Sequence, residues 1–168
     1  MIFMVKNNTE TEKKYLVKYL PTDLCAYAHS MIEQSYISFG DTPNGVEKRL
    51  RLMRSGDEEK YFYTEKSNDT ISRMEYEAEI TKEEYGRLSS CIISNPIIKT
   101  RYRLPLNDGL TAELDIYHGE LSGLIIVEVE FSSLGDALCF LPPQWFGEDV
   151  TENNAYKNKN LAKKISST

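Results

Sequence analysis

The chain has 168 residues, of which 40% are hydrophobic and 27% charged, and its formal net charge is −6. This composition predicts one soluble globular domain over residues 1–168 and argues against nucleic-acid binding, which needs a basic surface to displace counterions. Because no segment approaches the roughly 18 continuous apolar residues of a membrane-spanning helix, no membrane partner is expected.

The number and spacing of the cysteines indicate the cellular compartment. Cys25, Cys91 and Cys139 are an odd number and lie far apart in the chain. This usage predicts buried free thiols in a reducing compartment, without a disulfide framework or a zinc site. The start, MIFMVKNN, is too short and too soon interrupted for a secretory signal. We therefore expect a cytoplasmic protein.

Strand-like segments dominate the chain. Alternation with period 2 predicts eight strands, at residues 9–18, 34–39, 46–54, 60–66, 71–80, 97–104, 110–117 and 124–132. Helices are predicted from Thr22 to about Ile32, from the capping box Thr81-x-x-Glu84 to about Cys91, and around Leu134–Leu141. A last helix, which Thr151 caps or precedes, is predicted through Tyr156 to Lys164. Turn signals such as Asn107-Asp108-Gly109 favour antiparallel pairing. The prediction is an α+β domain whose antiparallel strands can close as a barrel.

Two carboxylate pairs alternate along the first and last predicted strands. They are Glu10 with Glu12, and Glu128 with Glu130. Side chains on a strand alternate between faces, so both members of each pair point the same way, and Lys14 shares the face of the first pair. If a sheet brings the pairs together, they form an oxygen-rich site suited to hard cations such as Mg²⁺.

Charge is also segregated by strand across the rest of the predicted sheet. Acids share one face of residues 71–80 and 110–117, and bases share one face of residues 46–54 and 97–104. An antiparallel sheet with one wet face gives apolar/charged alternation by default, which suffices for any single strand. Like charges two residues apart repel, however, unless an ion of opposite sign lies between them. We therefore predict a charged barrel interior that binds a polyanion, since guanidinium groups make bidentate phosphate contacts.

Successive motifs then resemble those of the CYTH family, also called the triphosphate tunnel metalloenzymes. In chain order, and over essentially its whole length, they are ETEKK, VEKRLRL, TEKS, SRMEYEAEI, KTRYRL, AELDIYHG, LIIVEVEF and PPQWFGEDVTENNAYKNKNLA. The resemblance implies an eight-stranded antiparallel tunnel that holds a triphosphate and one or two Mg²⁺ or Mn²⁺ ions. The segment before Glu10 is longer than the usual short leader of the family. Either residues 1–8 are a disordered leader, or Met4 is the true start of the chain.

The resemblance also implies roles for individual residues. The metal-binding carboxylates correspond to Glu10, Glu12, Glu128 and Glu130, and nearby acidic positions to Glu75, Glu77 and Asp115. The phosphate-binding bases correspond to Lys14, Arg49, Arg51, Lys66, Lys99 and Arg101, with Arg73 as a further candidate.

Proton handling has two candidates. Lys99, among other cations, can have a depressed pKa and could orient or deprotonate Tyr36 or the attacking water. Tyr36 is explained equally well as an aromatic residue of the hydrophobic core or of a strand. Lys157 and Lys159 of the last predicted helix are expected either near one tunnel mouth or as complements to the helix dipole.

The expected activity is hydrolysis of inorganic tripolyphosphate to diphosphate and phosphate. The compact domain and its WFGEDVT…YKNK tail look most like the short bacterial triphosphatases, and no aromatic or amide cluster predicts an adenine pocket. Three alternatives stay open: a class IV-type adenylate cyclase, a thiamine or nucleoside triphosphatase, and a non-catalytic polyphosphate-binding module. A homodimer through an exposed side of the barrel is also left open.

Overall fold

A computed structural model describes residues 5–21, 23–40, 45–67 and 71–165 of the chain. Within these ranges, the chain forms nine strands and three short α-helices. The strands are β1 (Val5–Val17), β2 (His29–Tyr36), β3 (Glu47–Ser55), β4 (Glu58–Lys66), β5 (Ser72–Ile80), β6 (Ile97–Pro105), β7 (Thr111–Tyr117), β8 (Ile125–Phe131) and β9 (Phe146–Asp149). The helices are α1 (Lys82–Leu88), α2 (Leu134–Cys139) and α3 (Asn158–Lys164).

The sheet closes on itself. Its strand order is β5-β4-β3-β2-β6-β7-β8-β1, with every neighbouring pair antiparallel, and β1 also pairs with β5. Strand β9 lies outside this ring, beside the end of β1, where Tyr15 is opposite Asp149. The predicted eight-stranded antiparallel barrel with flanking helices is therefore confirmed.

The main hydrophobic core lies outside the barrel wall. The outward faces of β1, β7 and β8 bury Tyr15, Leu114 and Val127 beneath Ala137 of α2 and Phe146 of β9. Burying an aliphatic or aromatic side chain of this size contributes about 1.5–3 kcal/mol. Because this packing holds the outward faces, the alternate residues of the same strands are left to line the interior.

One end of the barrel interior is closed by the C-terminal segment. Leu161 and Ala162 of α3 are buried against Tyr36, Tyr117 and Ile126, which are inward-facing residues of β2, β7 and β8. The barrel is thus polar along most of its interior and apolar at this end.

The predicted helix from Thr22 to Ile32 is wrong. Thr22 lies outside the described residues, Leu24–Ala26 form one 3₁₀ turn, and β2 already begins at His29. Pairing with β3 and β6 on both sides buries Ile32 completely, and this pairing overrides the helix-like apolar spacing of residues 22–32.

The C-terminal prediction is wrong at its start. Thr151 donates a hydrogen bond to Asp149 in a turn, a 3₁₀ turn follows at Asn154–Tyr156, and α3 begins only at Asn158. Strand β9 was not predicted, because its four residues carry no clear alternation.

At the other terminus, β1 begins at Val5, so residues 5–8 of the predicted leader pair with β5, while residues 1–4 lie outside the described part of the chain.

All three cysteines are free, but Cys25 and Cys139 are exposed and Cys91 is half-buried, so their predicted burial is wrong. Across the described ranges, no helix combines the length and the apolar character needed to cross a lipid bilayer.

Candidate active site in the barrel interior

Inward-facing side chains from the eight barrel strands surround a polar cavity of about 210 Å³. Every predicted site residue lines it except Lys99 and Asp115, which are almost completely buried. The lining residues named in the sequence analysis are Glu10, Glu12, Lys14, Tyr36, Arg49, Arg51, Lys66, Arg73, Glu75, Glu77, Arg101, Glu128 and Glu130.

The two predicted carboxylate pairs are neighbours. Antiparallel pairing of β1 with β8 places Glu12 opposite Glu130 and Lys14 opposite Glu128. Burial, together with the charges of Glu128 and Glu10, raises the pKa of Glu12 to about 7. Glu128 itself stays ionised, because Lys14 and three other cations outweigh its burial and hold its pKa well below the usual range. The local excess of negative charge around Glu12 is the setting that a hard divalent cation would neutralise.

The same carboxylates are engaged by bases. Lys66 Nζ lies 2.9 Å from both Glu10 Oε2 and Glu75 Oε2. Arg73 bridges the first pair, with Nε 3.2 Å from Glu10 Oε2 and Nη2 3.1 Å from Glu12 Oε1. In the described part of the chain, no three acidic, histidine or cysteine side chains are arranged to hold a metal ion directly. Carboxylate oxygens are the donors that hard divalent cations prefer, and here Arg73 and Lys66 occupy several of them.

Arg49 and Arg51 lie on β3, across the cavity from β1. Nη2 of Arg51 donates a 3.0 Å hydrogen bond to Glu77 Oε2, whereas Nη2 of Arg49 is 3.5 Å from the Thr64 hydroxyl. Within the described residues, the buried Nε atoms of both arginines have no hydrogen-bond partner. Burial and the charge of Arg49 lower the pKa of Arg51 to about 10. Buried donors without acceptors are costly, so this pair is suited to an anionic ligand with oxygen acceptors.

Each of the three side-chain nitrogens of Arg101 on β6 donates a hydrogen bond to a carboxylate. Nε and Nη2 donate to the two oxygens of Asp115 at 2.7 and 2.8 Å, and Nη1 donates to Glu113. Asp115 is fully buried and also accepts a 2.5 Å hydrogen bond from Lys99 Nζ. Burial would lower the pKa of Arg101, but Asp115 and Glu113 raise it well above its ordinary value.

Tyr36 and Lys99 have different partners. The Tyr36 hydroxyl accepts a 3.3 Å hydrogen bond from Gln34 Nε2, and burial raises its pKa above the ordinary value. Burial lowers the pKa of Lys99 to about 8, although the negative charge of Asp115 acts to raise it.

Comparisons with known proteins cover nearly the whole chain. No protein-family model matches it. The inorganic triphosphatase of Nitrosomonas europaea is 43% identical over 159 residues, which span 94% of this chain and 99% of that protein. The inorganic triphosphatase of Acetivibrio thermocellus is 35% identical over 156 residues, which span 92% and 93%. The chain belongs to the CYTH family of triphosphate tunnel metalloenzymes.

Solved structures agree with this assignment. The crystal structure of the inorganic triphosphatase NE1496 matches with a TM-score of 0.64 at 40% identity, covering 95% of this chain and 98% of that one. The Hippeastrum protein HpAC1 matches with a TM-score of 0.52 at 15% identity, covering 77% and 82%, and at this identity the likeness concerns the fold alone.

The tunnel also contains residues that were not predicted as site residues. They are Asn8, Gln34, Glu47, Arg103, Glu113 and Asn158. All but Asn158 occupy alternate positions on strands that carry predicted residues, so extending the period-2 pattern would have found them. Asn158 reaches the tunnel only because the C-terminal segment enters the barrel, and no local signal predicts that. Lys157, expected near a tunnel mouth or as a dipole partner, also lines the cavity.

Proposed function

We propose that this protein hydrolyses inorganic tripolyphosphate to diphosphate and phosphate inside the tunnel, with Mg²⁺ or Mn²⁺ as cofactor. The observation that carries the proposal is that Arg49 and Arg51 line the polar cavity while each keeps a buried Nε donor that has no partner among the described residues. Such donors require oxygen acceptors, and a linear triphosphate supplies many at high charge density. Two inorganic triphosphatases similar over almost the full chain support the same substrate.

The bases divide the binding of the phosphate chain among them. Arg49 and Arg51 each have a donor without a partner in the described part of the chain, whereas Lys14, Lys66 and Arg73 are paired with carboxylates that would also hold the cation. Glu10, Glu12, Glu128 and Glu130 would hold that cation, and Glu75 and Glu77 would set the positions of Lys66 and Arg51. When bound, the metal neutralises phosphate charge and lowers the pKa of a coordinated water. In this proposal Asp115 fixes Arg101 and Lys99 and is not itself a ligand.

Hydrolysis then needs little covalent participation by the protein. The water oxygen bonds to a terminal phosphorus, the bridging P–O bond breaks, and diphosphate leaves with the electron pair of that bond. The tunnel holds the chain in line with the water and stabilises the charge spread over the transferring group. Enclosure by the barrel excludes bulk water, so each arginine–phosphate contact is stronger than it would be at a surface.

Tyr36 and Lys99 handle the proton in this proposal. Tyr36 lines the cavity and, because its pKa is raised, keeps its proton and orients the water through its hydroxyl. Lys99 has a pKa of about 8, which is better tuned for a base, but it is buried against Asp115 and does not line the cavity, so it can take the proton of the water only after it leaves Asp115. A pH–rate profile of Tyr36→Phe tests the tyrosine, and a curve superimposable on that of the wild type would remove it from the mechanism.

A substrate panel tests the activity. Purified protein is assayed with tripolyphosphate, ATP and thiamine triphosphate, each with Mg²⁺ or Mn²⁺, by phosphate release and by cyclic AMP formation. We expect tripolyphosphate to be hydrolysed much faster than the others, Glu12→Gln to abolish turnover, and Glu83→Gln on the exposed face of α1 to leave it unchanged. Faster cyclic AMP formation would identify a cyclase, and tight tripolyphosphate binding without turnover would identify a binding module.

A further inference from the structure

The C-terminal segment places an amide side chain inside the tunnel. Leu161 and Ala162 bury one turn of α3 in the closed end of the barrel, and Lys14 Nζ donates a 3.2 Å hydrogen bond to the Tyr156 carbonyl. These contacts fix residues 156–162 relative to the strands. Asn158, at the start of α3, lines the cavity together with Lys157 and Lys14.

Tyr117 fixes which way the Asn158 amide faces. The hydroxyl of this buried residue on β7 donates a 2.6 Å hydrogen bond to Asn158 Oδ1. A neutral tyrosine hydroxyl has one proton to donate, so in this buried position it needs an acceptor. A flipped amide would set Nδ2 against that hydroxyl and leave its proton without this acceptor. Oδ1 is therefore the atom turned to Tyr117, and Nδ2 with its two N–H groups remains for other partners.

The surroundings of Asn158 favour an anionic acceptor for those N–H groups. Lys14 and Lys157 line the same end of the cavity, and Glu128, whose Oε1 is 3.4 Å from Lys14 Nζ, balances a single charge. Tyr117, which contacts Asn158, also packs with Ile97, Ile126 and Leu161 in the apolar cluster at this end of the barrel, so a bound chain cannot extend further in this direction. A ligand group that reaches the closed end meets the Lys14 ammonium, the lining residue Lys157 and an oriented amide.

We propose that Asn158 donates hydrogen bonds to an outer phosphate group of the triphosphate at the closed end of the tunnel, and that Tyr117 is the positioning residue that orients its amide. This inference rests on the proposed function. It assigns to the C-terminal segment a part of the phosphate site that the eight strands do not supply, so the segment both closes the barrel and completes the binding site.

Asn158→Asp is the direct test. The aspartate keeps the shape of the side chain and an acceptor for Tyr117, but it replaces the amide donor by a negative oxygen. We expect KM for tripolyphosphate with Mg²⁺, and Kd by calorimetry, to rise about 10- to 100-fold, as for the loss of a charge-assisted hydrogen bond with added repulsion, while kcat changes less. Asn160→Asp is the matched control, because the Asn160 side chain donates to the Asn154 carbonyl in the same segment and does not line the cavity.

Tyr117→Phe tests the positioning role. We expect KM to rise roughly 3- to 10-fold, and the same substitution to add nothing in an Asn158→Ala background, because its effect passes through the amide. Additive effects would mean that Tyr117 acts only through packing. Thermal unfolding of each variant checks that the fold is retained.

The outcomes separate the two proposals. If wild-type protein neither binds nor hydrolyses tripolyphosphate, the proposed function fails and the role of Asn158 fails with it. If wild-type protein binds or hydrolyses it and Asn158→Asp matches both wild type and Asn160→Asp, only the role of Asn158 is overturned.

Discussion

Arg49 and Arg51 of β3 and Arg101 of β6 are similarly buried but differ in their partners. The side chains of Arg49, Arg51 and Arg101 are 9%, 12% and 12% exposed. Arg101 directs three of its nitrogens to Asp115 and Glu113. Arg49 and Arg51 each retain a buried Nε without a partner in the described ranges.

This difference separates structural charge from charge available to a ligand. A buried charge with a bidentate partner is compensated within the fold, and it holds neighbouring strands in register. A buried donor without an acceptor costs roughly 1–3 kcal/mol, a cost that persists where a site is built for a ligand. Residue type and burial alone do not distinguish the two cases, whereas the carboxylates opposite each arginine do.

Asp115→Asn should have the largest effect on stability. It leaves Lys99 and Arg101 buried without the carboxylate that both contact, which should lower the free energy of unfolding by about 3–5 kcal/mol. Urea denaturation at pH 6.5, where Lys99 is protonated, measures this loss. Glu113→Gln is the control, because Glu113 is partly exposed and should cost much less. Equal losses in the two variants would show that Arg101 is not held mainly by Asp115.

Arg49→Met should separate activity from stability. Loss of a phosphate-binding guanidinium should lower kcat/KM for tripolyphosphate about 100-fold, in the range seen when a transition-state donor is removed. The free energy of unfolding should stay within about 1 kcal/mol of wild type, because the Arg49 guanidinium lies 3.5 Å from the Thr64 hydroxyl and 4.0 Å from Glu77, both long distances for such interactions. Urea denaturation beside a phosphate-release assay measures both. A stability loss as large as that of Asp115→Asn would contradict the division into compensated and available charges.

Glu12→Gln should flatten the pH dependence of stability in metal-free protein. The pKa of Glu12 is raised from 4.5 to about 7, so between these values the folded protein binds more protons than the unfolded chain. The free energy of unfolding should therefore fall as pH rises through this window, by an amount on the order of 2 kcal/mol from this group. Denaturation in EDTA from pH 4.5 to 7 measures the slope in wild type, Glu12→Gln and the exposed control Glu83→Gln. Parallel slopes in all three would show that Glu12 does not contribute to the pH dependence of the free energy of unfolding.

Arg73→Met should have the smallest effect, on metal binding. Arg73 is also a paired arginine, but its partners Glu10 and Glu12 are proposed metal ligands, so its guanidinium competes with a cation for their oxygens. Removing it should raise the affinity of substrate-free protein for Mn²⁺ about 3- to 10-fold by calorimetry, which corresponds to roughly 1 kcal/mol of released competition. Arg103→Met is the charge-matched control, since Arg103 is 59% exposed and lies 4.0 Å from Glu113. An equal gain in both variants would indicate a general charge effect.

The alternation of residue types by itself determined the strands and most of the residues that line the interior, whereas the closed eight-stranded tunnel was implied by the family resemblance. Because side chains on a strand repeat every two residues, Glu10 and Glu12, Arg49 and Arg51, and Glu128 and Glu130 had to share faces, and the apolar partners of these strands had to pack on the other side. The motifs then carried the family assignment, which full-length relatives confirm.

Only the tertiary structure decided how completely each base is paired. Arg51 and Arg101 both lie in alternating strands of the same kind, but the strand order sets Arg101 beside Asp115 and Glu113, and strand order is not a local property of sequence. The same limit explains the wrong helix before β2, where pairing on two sides outweighs local spacing. It also explains Asn158, whose place in the tunnel depends on apolar residues of α3 entering a barrel end built by strands far away in the chain.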